Sequence, residues 1–93
     1  MSKLDKFSNI TKEMYELYER KNKDYGDSFG KTFKEYGLVM AAIRIEDKLQ
    51  RFKKLIKSEA EVKDESIRDT LIDLANYSAM TIIELDKMID SKK

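Results

Sequence analysis

An all-α fold, a small three- to four-helix bundle, is predicted by three observations on this sequence. There is no proline, and the three glycines all fall between residues 26 and 37, so little interrupts a helix elsewhere. Apolar residues recur at steps of three and four through most of the 93 residues, the spacing of a helix buried along one side. Valine, isoleucine and threonine nowhere alternate with polar residues over the length of a strand.

The first predicted helix covers residues 4–23. Leu4, Phe7, Thr11, Met14 and Tyr18 make its apolar stripe, widened by Ile10 and Leu17. Glu13, Glu16, Glu19 and Arg20 fall outside that stripe and are expected to be solvated. Residues 22–37 (NKDYGDSFGKTFKEYG) read as a loop with a short helical segment. Asp24 to Ser28 is turn chemistry, with Gly26 free to take positive φ, and Thr32 to Glu35 has the spacing of a capping box. The length of this segment and its two exposed-type aromatics, Tyr25 and Phe29, suggest a binding loop.

A long helical hairpin follows, about 38–57 and 64–89. The seam of its first arm is Leu38, Ala42, Ile45, Leu49, Phe52 and Ile56, at alternating steps of four and three. Residues 58–63 form the turn, with Ser58 and Glu61 spaced as a second capping box. Asp64 and Glu65 suit the start of the second arm, where the helix dipole favours acids. Its seam is Ile67, Leu71, Leu74, Ser78, Thr81 or Ile82, and Leu85, with Ile72, Ala79 and Ile83 as a second flank. A helix apolar around so much of its girth needs more than one neighbour. Completion of a single 1–93 domain by homo-oligomerisation is therefore expected.

Composition narrows the function. Charged residues reach 40%, against about a quarter in an ordinary chain, yet the net charge is only +1. No global field attracts DNA, and no recognition helix stands out, so sequence-specific nucleic-acid binding is a poor fit. Without cysteine or histidine, a metal site would be built from carboxylates and would take magnesium, manganese or calcium. The N-terminus has no apolar run of the signal-peptide kind, and no stretch is long enough to span a membrane. A cytoplasmic protein without a membrane partner is expected, and no cofactor is required.

The charges are segregated along the hairpin. Residues 44–57 carry six basic and two acidic side chains, and residues 59–73 carry six acidic and two basic. Folding the chain about residue 60 sets Arg51 level with Asp69, Asp47 with Asp73, and Arg44 with Asn76. One reading is that the two solvated arms simply attract each other, each exposed pair contributing only about 0–1 kcal/mol. Asp69, Asp73 and Asn76 lie among apolar neighbours in DTLIDLANYSAM, where carboxylates need partners or a metal. An anionic ligand would satisfy both arms. Arg44, Lys48 and Arg51 would hold phosphates, Asp73 or Asn76 would meet ribose hydroxyls or a base edge, Tyr25, Phe29 or Tyr77 would stack on the base, and Asp69 is a further candidate at the site.

NKDYGDSF, the following Tyr36-Gly37, IRIEDKLQR and DESIRDTLIDLANY together resemble the nucleotide modification associated domain 1 family of phages and prophages. The resemblance spans roughly residues 20–85. It implies an all-helical fold, a phage setting and a link to nucleotide metabolism or nucleotide ligands. More distantly, the chain is similar to the all-α nucleoside triphosphate pyrophosphatases of the MazG type. Those hold magnesium with an ExxE motif on one helix and an ExxD motif on the next. Asp47, Glu65, Asp69 and Asp73 would be the metal ligands here. The first motif is incomplete, because Leu49 and Gln50 stand where acids three residues after Glu46 and Asp47 are needed.

Three functions follow as expectations. The first is a non-catalytic phage protein that sequesters a nucleotide immune signal, such as a cyclic ADP-ribose isomer or a cyclic dinucleotide. The second is a magnesium-dependent nucleotide pyrophosphohydrolase or an accessory of phage nucleotide modification. The third is an oligomeric helical scaffold without a small ligand.

Overall fold

The computed structural model describes residues 1–57 and 63–92, with side chains in the last helix from residue 66 onward. Four helices follow one another: α1 (Lys3–Tyr25), α2 (Ser28–Tyr36), α3 (Leu38–Ile56) and α4 (Lys63–Ser91). The described residues contain no strand, so the chain is all-α. The expected capping box at Ser58 lies outside the described residues, as do the side chains of Asp64 and Glu65.

Local chemistry sets the boundaries. Ser2 and Asp5 form a reciprocal box: the Asp5 amide donates to Ser2 Oγ at 3.1 Å, and the Ser2 amide donates to Asp5 Oδ2 at 3.3 Å. α1 ends at Gly26, whose φ of 67° and ψ of −161° suit glycine alone. α2 starts four residues before the expected Thr32. Its N-cap is Asp27, which accepts from the Gly30 amide at 3.0 Å. The Thr32 hydroxyl instead donates back to the Ser28 carbonyl at 2.8 Å. The loop expected over 22–37 is thus mostly helix, and only Gly37, with φ 76° and ψ −159°, separates α2 from α3.

α3 and α4 pack antiparallel as the long hairpin. Lys48 Nζ lies 3.1 Å from Asp73 Oδ2, one residue off the expected register. Asp47 therefore does not face Asp73, and is exposed instead. Two carboxylates opposite each other would repel, whereas the rotation that brings Lys48 inward satisfies Asp73.

The seams shift as well. On α3, Met40 and Ala41 are buried and Ile45, Lys48, Phe52 and Leu55 half-buried, while Leu38, Ala42, Leu49 and Ile56 remain exposed. On α4, Thr70 is buried and Leu74, Tyr77 and Thr81 half-buried, while Leu71, Ser78 and Ile82 are exposed. Thr70 meets its polar requirement locally by donating to the Ser66 carbonyl at 2.7 Å.

The cause of the shift is α2. Its Phe29 and Phe33 form the core cluster with Met40 and Ala41, and Tyr77 and Met80 pack against it. Ring centroids of Phe29 and Phe33 are 6.4 Å apart, and those of Phe29 and Tyr77 are 6.0 Å apart. Phe29 is therefore a core residue at 9% exposure rather than an exposed aromatic. α1 lies on the same side of the hairpin. The Asn76 amide Nδ2 donates to the Met14 carbonyl at 3.2 Å, and the Arg68 guanidinium donates to both Glu13 oxygens at 2.6 Å. Glu13 is thus paired rather than merely solvated.

Two outcomes test this arrangement. Gly37→Ala places a Cβ on a conformation nearly exclusive to glycine, so it is expected to cost about 1–3 kcal/mol, read as a lower urea midpoint at unchanged slope. The second concerns Glu13, whose carboxyl is held below the usual range by the Arg68 hydrogen bonds and charge. A depressed carboxylate stabilises the fold above its unfolded value of about 4.3, and that contribution fades as pH falls through the lower folded value. Wild type is expected to melt above Arg68→Ala at pH 7, and the gap to close in acid below pH ~4. A gap that persists unchanged in acid counts against the ion pair.

Candidate functional site

α1 and α2 cover one side of the hairpin incompletely, and a cleft of about 410 Å³ remains where all four helices meet. That volume falls within the roughly 300–1,000 Å³ of small-molecule sites. The end of α1 contributes Tyr18, Lys21, Asn22 and Tyr25, and α3 contributes Met40 and Arg44. The turn at Gly26–Ser28 forms a rim, Phe29 and Thr32 line the α2 side, and Asp73, Asn76, Tyr77 and Met80 line the α4 side. Helical spacing explains the α1 contribution, because residues 18, 21, 22 and 25 share one face.

Six of the nine candidate ligand residues meet here: Tyr25, Phe29, Arg44, Asp73, Asn76 and Tyr77. Their roles divide by what they already touch. Asp73 is engaged twice, by Lys48 at 3.1 Å and by Lys21 Nζ, 3.6 Å from Oδ1, and only 21% of its side chain is exposed. Asn76 gives one N–H to the Met14 carbonyl, which leaves its amide oxygen and its second N–H for a ligand. One side of Tyr77 packs on Phe29. Tyr25, at 75% exposure, stands at the rim. Arg44 is exposed, and among the described residues no carboxylate lies within ion-pair distance of it. A forked cation without an internal partner is suited to a phosphate or another oxyanion.

The other three candidates lie elsewhere. Lys48 sits behind the cleft as the partner of Asp73. Arg51 does not line the cleft and makes no ion pair with Asp69. Two turns of helix separate it from Arg44, so the cleft reaches only the nearer arginine. Asp69 faces a smaller groove between α1 and α4, which it shares with Glu13, Glu16, Arg20, Lys21 and Asp73.

That groove bears on the magnesium alternative. Glu13 and Glu16, an ExxE pair on α1, stand across from Asp69 and Asp73 on α4. The motif sought on IRIEDKLQR has a counterpart on α1, and its three-residue spacing is visible in KEMYELYER. As the side chains stand, they do not fit a magnesium ion. Arg68 holds Glu13, two lysines hold Asp73, and Arg20 and Lys21 line the same groove. Among the described residues, no three acids are gathered closely enough to hold a metal.

Lys21 and Tyr18 are cleft residues that reasoning from the hairpin charges passed over. The signal lay in the stripe Tyr18, Lys21, Asn22, Tyr25, which runs polar and aromatic directly into the glycine turn.

No curated protein and no solved structure matches the chain. Among the described residues no helix is long and apolar enough to cross a membrane. The model of the nucleotide modification associated domain 1 family matches residues 21–85, a span that contains every residue lining the cleft except Tyr18. The chain belongs to the nucleotide modification associated domain 1 family.

Proposed function

We propose that this protein binds a nucleotide in the four-helix cleft and holds it without transforming it. The biological setting we propose is a phage in a bacterial cytoplasm. There the protein sequesters a nucleotide-derived immune signal, cyclic ADP-ribose-like or a cyclic dinucleotide, and so blunts host defence. The observation that carries this reading is the cleft's composition. It sets Arg44, an arginine with no ion-pair partner among the described residues, beside aromatic faces and a side-chain amide, within the span of a nucleotide-associated family. Arg44 meets the phosphate, Tyr25 and Tyr77 offer faces to the base, and the Asn76 amide oxygen accepts from a base edge or a ribose hydroxyl. The non-catalytic part rests on Asp73. Two lysines already occupy its oxygens, so a metal ion or a reacting water would have to displace a cation to reach it.

The test is to incubate the purified protein with a nucleotide panel, with and without magnesium, then denature it and analyse what is released. Intact nucleotide supports sequestration. A magnesium-dependent cleaved product supports the pyrophosphohydrolase reading and sinks this one, and an empty protein leaves the scaffold. In calorimetric titration, Arg44→Ala is expected to weaken binding by about tenfold or more, the usual loss for a charged hydrogen bond. Arg51→Ala, outside the cleft, is expected to leave the affinity unchanged.

A further inference from the structure

The hairpin has two broad sides, and the chain covers only one. On the covered side Met40 and Arg44 of α3 and Ile72, Asn76 and Met80 of α4 lie against α1, α2 and the cleft. Roughly a half-turn around each helix, a second set of apolar residues faces away. α3 presents Leu38, Leu49 and Ile56 at 51%, 37% and 54% exposure, and α4 presents Leu71, Ile82 and Ile89 at 41%, 57% and 56%. Because the helices run antiparallel, turning in the same sequence sense from their mutual contact brings both stripes to one side of the hairpin.

The α4 stripe has the order of a packing seam. Leu71, Ala75, Ser78, Ile82, Leu85 and Ile89 follow steps of four and three throughout, the repeat of a helix that meets another helix along its length. Small residues at 75 and 78 allow a close approach. The seam that α4 shows to α3 is a different one, through Thr70, Leu74, Tyr77 and Thr81.

Area says how much is missing. A folded monomer of 11.0 kDa is expected to expose about 5,600 Å². This chain exposes 7571 Å², an excess of roughly 2,000 Å², and a stable dimer buries about 800 Å² or more from each partner. Among the described residues only Phe29, Phe33, Met40, Ala41 and Ile72 are buried apolar side chains, although 41% of the chain is hydrophobic. Charge favours a second copy as the occupant. Glu46 and Lys53, both exposed, border the α3 stripe two turns apart. A two-fold axis passing between them would bring each against its opposite on the other copy, as an isologous interface requires.

We infer that two copies of this chain associate through the bare side of the α3–α4 hairpin. The four hairpin helices form a central bundle, and each copy keeps its own cleft on the outer side.

Light scattering after size exclusion is expected to give twice 11.0 kDa for wild type. The melting temperature should rise with protein concentration, because dimerisation is linked to folding. A monomer with a concentration-independent melt overturns the proposal. Ile82→Glu is expected to halve the mass while Phe7→Glu, on the exposed stripe of α1, leaves it doubled. The reverse pattern places the contact on α1 and also overturns it. Should Ile82→Glu fail to fold, nitroxide labels locate the face instead, since the chain has no cysteine of its own. A label at Ser78→Cys should lie closer to its counterpart in the other copy than a label at Lys31→Cys on α2. The opposite order defeats the proposal.

Discussion

Three helices meet at one carboxylate. Asp73 of α4 takes Lys48 from α3 and Lys21 from α1, and most of its side chain is withdrawn from water. A half-buried charge in such a place needs partners, and the need is met by the two elements that must be positioned against α4. The register of the hairpin and the seating of α1 therefore answer to the same group. Lys48 and Asp73 are both about three-quarters covered, so their loss goes beyond the ~1 kcal/mol or less of a surface pair. Removing Asp73 would leave two lysines drawn together with nothing between them.

The cleft is a consequence of this junction rather than an addition to it. α2 is only nine residues long, and it enters the hairpin as an aromatic wedge through Phe29 and Phe33. Gly26 and Gly37 let the chain turn sharply at either end of that wedge. A short helix cannot fill the angle between α1 and α3, so space remains beside Tyr77 and Arg44. Because the lysines are spent on Asp73, Arg44 is left as the cation facing that space without a partner among the described residues. The ligand chemistry assigned to the cleft follows from this division of labour among charges that are all of one kind in the sequence.

Pairing also separates binding from metal chemistry. Glu13, Glu16, Asp69 and Asp73 are arranged across one groove, but Arg68 and the lysines already compensate two of the four. A divalent cation would have to displace those cations. Under the proposed function a phosphate would meet Arg44, for which no ion-pair partner stands among the described residues.

Much of this was legible in the chain itself. Helical periodicity, the absence of proline and the placement of the three glycines determined the fold class, the long hairpin and its approximate register. The motifs around NKDYGDSF, IRIEDKLQR and DTLIDLANY pointed to the right family and to six of the fifteen residues that line the cleft. The boundaries of α2 were hidden because Asp27 and Thr32 are both competent caps, and only the choice of which amide to satisfy distinguishes them. The inward seams held at Ile45, Phe52, Ile67, Leu74 and Leu85 but moved by about a residue elsewhere, because apolar spacing is nearly the same for two adjacent stripes of a helix. What decides between them is the neighbour that arrives. The tertiary structure chose Lys48 over Asp47 because opposite charges attract across a half-buried contact. It took Phe29 into the core because two aromatic rings hide more surface against Met40 and Tyr77 than they would in a loop. It set Arg51 apart from Arg44 because two turns of helix exceed the reach of one cleft.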